Sequence, residues 1–200
     1  VLPGIITAFC KTRPAVNVLL TGRSSAFMVN WLAAQRVDLG ISVLRLNEPG
    51  FQCERVLRME AVCAVPAEHP LTRYKVLTPE LIATAPLISL GTEDKSRTMV
   101  EQFFESSNVR FRTSIETQLS ESACQFVADG AGVSIVEPLS TLRFGEHEIA
   151  VRPISPRFLF DIWLIVPTGR PSSLITSEFG KYFARKIKGI LKGRGFYFTT

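Results

Sequence analysis

The chain has 200 residues, of which 46% are hydrophobic and 20% charged, and a formal net charge of +5 at neutral pH. This balance excludes intrinsic disorder and predicts an ordinary globular core, large enough for one or two lobes. No apolar run approaches the roughly 20 residues that cross a bilayer and no signal peptide opens the sequence, so no membrane partner is expected.

Leu2, Ile5, Ile6 and Phe9 fall at helical spacing, and Pro14 ends that helix. The first residues already lie in the helical pattern, as in a piece cut from a longer protein. Val16, Val18 and Leu20 then alternate as a strand. A second helix follows Thr21–Ser25, with Phe27, Trp31 and Leu32 turned inward, and residues 37–43 form a short strand buried on both faces. Segment 54–66 reads as extended, with Val56, Ala61, Cys63 and Val65 apolar, and His69-Pro70 closes it. Thr78-Pro79 starts a helix, Thr78 as N-cap and Pro79 at the first helical position. Residues 86–90 form a strand, and a helix from about Ser96 turns Val100, Phe103 and Phe104 inward. Val109, Phe111, Thr113 and Ile115 alternate as a half-exposed strand. Ser120 caps the next helix, which Gly130 and Gly132 end before strand 133–137. Strands 149–154 and 158–166 follow. The last helix, from about Ser172, places Ile175, Phe179, Phe183, Ile187 and Ile190 on one face. Helices alternating with short buried strands predict βαβ units and a mostly parallel sheet.

Cys10, Cys53, Cys63 and Cys124 lie far apart with no Cys-x-x-Cys pair, so no metal site is expected. Free thiols in apolar segments behave as small hydrophobes, and a reducing cytoplasm suits them. The cations of the last helix and tail, Lys181, Arg185, Lys186, Lys188, Lys192 and Arg194, read as a solvated face, with direct nucleic-acid contact as the alternative. The two histidines, His69 and His147, read as exposed loop residues. No nucleophile elbow, phosphate loop or His/Glu metal pair is present, so neither catalysis nor a cofactor is expected. Gly130-Ala131-Gly132 follows a helix and precedes a strand, the reverse of a dinucleotide fingerprint.

Four features in register carry a likeness. Leu2-Pro3 opens an amphipathic helix followed by a valine-rich strand. Val37-Asp38-Leu39-Gly40-Ile41 looks like a "leader-Asp-Leu-Ala-Ile" strand, His69-Pro70-Leu71 like an "HPL" corner, and Ala128–Val133 like a "V-x-x-G-x-G-[IV]" helix end. On these residues the chain resembles, over essentially its whole length, the effector-binding domain of LysR-type transcriptional regulators. The resemblance implies an α/β fold of two Rossmann-like lobes, of periplasmic-binding-protein type II, joined by two crossover strands near 60–62 and 161–163. Lobe I would be 1–61 plus 162–200, and lobe II 62–161. An upstream first strand and a winged helix-turn-helix domain, both absent from this chain, are implied too, with DNA contacted through that absent domain. Homodimers or homotetramers are the implied assembly. Glu137 stands where the family often has leucine, which bears on effector charge.

In such a fold the effector lies at the carboxyl ends of strands, where helix N-termini offer free N–H groups to a carboxylate. Thr21–Phe27, Leu90–Ser96 and Thr117–Ser122 have the strand-loop-helix form. The expected effector-binding residues are Ser24, Ser25, Phe27, Leu90, Gly91, Thr92, Gln118, Leu119, Ser120, Pro138 and Asp161. Each hydroxyl among them serves equally as a helix cap. Asp161, in an otherwise apolar strand, needs a cation, from the ligand or from a neighbouring arginine. Glu93, Asp94, Glu121 and Glu137 are the alternative acids. The arrangement suits an amino-acid-derived or opine effector, as in the nopaline and octopine regulators. The other reading is the solute-binding component of an ABC transporter, which shares the fold.

Overall fold

A computed structural model of the chain describes residues 1–22, 25–43, 45–47, 49–92, 94–169, 171–193 and 198–199. In chain order the elements are α1 (Leu2–Lys11), α2 (Ser25–Ala33), β1 (Gly40–Ser42), β2 (Phe51–Glu60), β3 (Val62–Pro66), α3 (Pro79–Ile82), β4 (Leu87–Leu90), α4 (Lys95–Glu105), β5 (Thr113–Thr117), α5 (Ser120–Ala128), β6 (Ser134–Val136), α6 (Pro138–Thr141), β7 (Ile149–Pro153), β8 (Leu159–Pro167), α7 (Leu174–Gly193) and β9 (Phe198–Thr199). They fall into two units, Val1–Arg58 with Asp161–Thr200, and Met59–Phe160. The chain passes between the units along β2 and again along β8.

The first unit holds a four-stranded sheet in the order β1-β8-β2-β9. Pro3 is tolerated in the first turn of α1 because the N–H it lacks has no helical partner there. Ile5 and Phe9 are the buried residues of α1. Phe9 meets the edge of Phe179 at 5.1 Å and the ring of Tyr182 at 5.3 Å, both on α7. Arg13 lies 4.4 Å above the Phe9 ring and pairs with Glu178 at 2.8 Å, so one aromatic cluster and one ion pair dock α1 on α7. On α7 itself Gly180, Phe183, Ile187 and Leu191 form the buried stripe. No described helix is long and apolar enough to cross a membrane.

Residues 16–20, expected as a strand, are not one. They run without regular structure, with Val18, Leu19 and Leu20 46%, 75% and 48% exposed. An alternating pattern becomes a strand only where a neighbour takes its backbone hydrogen bonds, and none of the described strands lies beside this segment. On α2, Leu32 is fully buried as expected, but Phe27 is 55% exposed.

The second unit is built on strands linked in the order β5-β4-β6-β3-β7. β4 and β5 are parallel, a parallel bridge joins Leu87 to Val133 at the start of β6, and β3 pairs antiparallel with both β6 and β7. The mostly parallel sheet expected from the helix–strand alternation is therefore confined to β5-β4-β6. The chain enters this unit along β3 and leaves it from β7, and two such neighbours must run in opposite directions. Val100, Phe103 and Phe104 of α4 are 7%, 4% and 0% exposed. Phe104 stacks on Phe111 at 4.4 Å, and Phe103 packs against Phe158 at 5.9 Å.

Thr78 takes the N-cap position of α3, but its hydroxyl goes to Glu80 rather than to the helix backbone. Ser120, expected as a cap, is the first residue of α5, with Leu119 at the cap position. Past α5 the chain turns through Gly130 (φ 81°) and Gly132 (φ 155°). A Cβ on Gly132 would stand 2.2 Å from the Pro86 carbonyl oxygen. That close approach lets the Val133 N–H donate to Pro86 at 2.9 Å and the Ile88 N–H donate to Val133 at 2.8 Å, which sets β6 against β4.

Candidate functional site

Because β4, β5 and β6 run the same way, their carboxyl ends lie on one edge of the sheet, and each is followed at once by a helix: α4, α5 and α6. That edge gathers the polar side chains of the second unit. The loop after β4 is tied to the end of β5 by the Gly91 N–H, which donates to Thr117 at 2.9 Å. The Gln118 amide lies against Gly91, its Nε2 2.7 Å from where a Cβ would be, so a larger residue there would push the Gln118 side chain aside. Asp94 caps α4. Its Oδ1 accepts from the Ser96 N–H at 2.9 Å and from the Ser96 hydroxyl at 2.6 Å. Arg97, one turn into α4, donates to the Leu90 carbonyl at 3.3 Å and to Glu116 at 2.6 Å, fixing the end of β4. Beneath this edge Ser89, Ser96, Val100 and Ile135 help to line a cavity of about 10 Å³, the room of a single water.

The carboxylate at the end of β6 is the most unusual group of the cluster. Glu137 is a half-exposed residue whose carboxyl is turned into protein. Its Oε1 accepts from the Ser140 hydroxyl on α6, and the Ser120 hydroxyl of α5 also donates to the carboxyl. Loss of water pushes its pKa above the ordinary glutamate value, and the nearby Asp94 carboxylate pushes the same way. The Ser140 hydroxyl, its own backbone N–H and the Ser120 hydroxyl pull it back. Beside it, burial and then Glu137 and Glu121 raise the Cys124 thiol to about 12, so that cysteine stays protonated and inert. Two carboxylates at one edge, held by serine hydroxyls, make a receptor for a positive charge.

The structure brings Leu90, Gly91, Gln118, Ser120 and Pro138 together at this edge, with Gly91 and Pro138 buried and Thr92 and Leu119 exposed. Ser24, the side chain of Ser25 and Glu93 lie outside the described residues. Phe27 and Asp161 belong to the other unit. Asp161 has its cation inside the protein: Arg58 grips it with two bonds, Nε to Oδ1 at 2.6 Å and Nη2 to Oδ2 at 3.0 Å. Glu121 is paired at the surface with Arg143 at 2.8 Å. Ser140 was not among the expected site residues, whereas Ser96, the end of the expected Leu90–Ser96 segment, gives its hydroxyl to Asp94. The signals for them are short-range: Asp-x-Ser at a helix start, and Glu-Pro-x-Ser, where the fourth residue of a tight turn faces the first.

No group of three or more His, Cys, Asp or Glu side chains that could hold a metal occurs among the described residues. All four cysteines are free thiols, with Cys63 and Cys124 buried.

Comparison with known proteins fits this architecture. Residues 1–188 match the family model described as the LysR substrate binding domain. The chain is 34% identical over 178 residues to the transcriptional activator protein LysR of Escherichia coli (strain K12), covering 89% of this chain and 57% of that protein. It is 29% identical over 154 residues to the octopine catabolism/uptake operon regulatory protein OccR of Rhizobium meliloti, covering 77% of this chain and 50% of that protein. The chain thus spans little more than half the length of these relatives. Among solved structures, the Synechocystis PCC6803 CcmR regulatory domain in complex with 2-PG superposes with a TM-score of 0.80 at 20% identity, covering 94% of this chain and 91% of that one. The fold is therefore the periplasmic-binding-protein type II arrangement expected from the motifs. With a match running through almost all of its length, this chain belongs to the LysR substrate-binding domain family.

Proposed function

We propose that the chain is the sensing module of a cytoplasmic, homo-oligomeric transcription regulator, and that its effector is an amino-acid-derived cation such as an opine. The observation that carries this reading is Glu137: a carboxyl raised by burial, beside Asp94, on a strand-end edge whose named arginines, Arg97 and Arg143, are paired with Glu116 and Glu121 instead. A guanidinium or ammonium group placed there would restore the charge balance, and the start of α5 at Leu119–Ser120 suits the ligand's carboxylate. In this reading Leu90, Gly91, Thr92, Gln118, Leu119, Ser120 and Pro138 form the receptor within the second unit, and Glu137 takes the part first expected of Asp161. Effector binding then alters DNA binding by a domain outside this chain, through differential affinity for two conformational states. The name of the OccR relative, an octopine operon regulator, supports the opine class.

Calorimetric titration with arginine-derived opines and, as a contrast, with aromatic carboxylates tests the proposal. Opines should bind, and Glu137→Gln should weaken them about 10- to 100-fold, the range for losing a hydrogen bond to a charged group. A cation favours ionised Glu137, so affinity should rise with pH through the raised pKa in the native chain and stay flat in the Gln variant. Silence toward every opine would overturn the effector class.

A further inference from the structure

From Phe179 to the last residue the sequence carries six cations, Lys181, Arg185, Lys186, Lys188, Lys192 and Arg194, and no aspartate or glutamate. Helical geometry decides how most of them are displayed. At about 100° per residue, Lys181, Arg185, Lys188 and Lys192 fall within an arc of about 60°, centred about 125° around α7 from its buried stripe. Their 4-3-4 spacing is close to three whole turns, so the row runs along the helix for about 16 Å. Lys181, Arg185 and Lys192 are exposed and Lys188 is half-buried. Among the described residues none of the four pairs with a carboxylate, and Glu178, the one acid of the helix, is held by Arg13. Arg185 also lies 5.6 Å from the Tyr182 ring.

A face that serves solubility alone gains from opposite charges at i,i+4, whereas Lys181 with Arg185 and Lys188 with Lys192 are like pairs that repel. We propose that this row is a sequence-independent contact for the phosphate backbone of duplex DNA, a proposal that rests on the reading of the chain as part of a DNA-binding regulator. Duplex DNA carries closely spaced phosphate charges along its axis, so a row of this length can neutralise several of them. Between Lys181 and Lys192 the arc holds no aromatic or aliphatic side chain. It therefore lacks the anchor that the core of a protein interface needs, and lysine is depleted from such cores. The apolar face of α7 is occupied within its own unit, so the helix has none to sink into a membrane surface. Contacts of this kind position a protein on DNA and add to its affinity without reading bases.

The test is an anisotropy titration of the 200-residue chain against a labelled duplex of about 30 base pairs of arbitrary sequence, between about 50 and 200 mM salt. Four phosphate contacts predict a log–log slope of about −3.6, a roughly 100-fold loss of affinity over that range. The combined substitution K181Q, R185Q, K188Q and K192Q should weaken binding at low salt and flatten the slope, with the circular dichroism spectrum unchanged. Replacing the three lysines with arginine should keep binding. Absence of binding at low salt, an unchanged slope in the Gln variant, or tighter binding of polyglutamate than of duplex would overturn the proposal. Effector titration of the same preparation separates the two readings: a chain that binds an opine but no duplex loses the DNA contact alone, and one that binds no opine loses the effector reading.

Discussion

Glu137 shows how one side chain can bear on both stability and function. Its pKa is raised in the fold, so the native chain binds the proton more tightly than the unfolded chain does. The stability tied to that proton is fully present below the ordinary glutamate range and is lost as pH rises through the raised value. Glu137→Gln, which cannot ionise, should therefore be more stable than the native chain near neutral pH, with the advantage vanishing toward about pH 4, as urea unfolding across that range would show. A gain in stability paired with a loss of effector binding is the signature of a group kept for its ligand. Gly132 is constrained for a different reason. With φ at 155° and the Pro86 oxygen where a Cβ would go, Gly132→Ala should cost at least about 1–3 kcal/mol by denaturant unfolding. The glycine was legible in the sequence as a helix end, but the carbonyl pressed against it was not, because Pro86 lies more than forty residues away.

Elements with a dense apolar stripe were the most legible. α4 buries the three side chains its spacing selects, while on α7 Phe183 and Ile187 are buried as expected, Ile175, Phe179 and Ile190 are half-buried, and Gly180 and Leu191 complete the stripe. Phe104 is the keystone of α4, fully buried and stacked on Phe111. Phe104→Ala should destabilise the chain by about 3–5 kcal/mol in urea or thermal unfolding, since the ring leaves a cavity that Phe103 and Phe111 cannot both close. Segments whose state depends on a neighbour were read less well. Residues 16–20 alternate like a strand yet stay unpaired, and the half-exposed strand expected from Val109 begins in the structure at Thr113. Alternation reports which face is apolar, and pairing is decided by what lies beside the chain.

For the whole molecule, a ligand that binds only the folded form stabilises it by mass action. At an effector concentration 100-fold above Kd the gain is about 2.7 kcal/mol, which for a chain of this size raises Tm by about 5–10 °C in a thermal scan. An opine that does so, while an aromatic carboxylate leaves Tm unchanged, would support the proposed effector class from a measurement independent of calorimetry. The two passages between units carry one ion pair each within the unit they adjoin. Arg58–Asp161 lies in the first unit, and Glu60–Arg157, at 2.9 Å, in the second.

What the sequence determined by itself was the local grammar: amphipathic stripes, proline starts, glycine ends and the order of the family motifs. These follow from backbone sterics and side-chain period, which act over a few residues and so can be read from a few residues. They were enough to name the fold and the family. Tertiary structure decided the partners. It gave Asp161 to Arg58, turned Ser120 and Ser140 onto Glu137, and set Asp94 near enough to Glu137 for one carboxylate to raise the pKa of the other. Apart from Ser140, three positions from Glu137, those pairings join residues far apart in the chain, and the energy of a charge depends on what surrounds it in space, which the order of residues along the chain does not state.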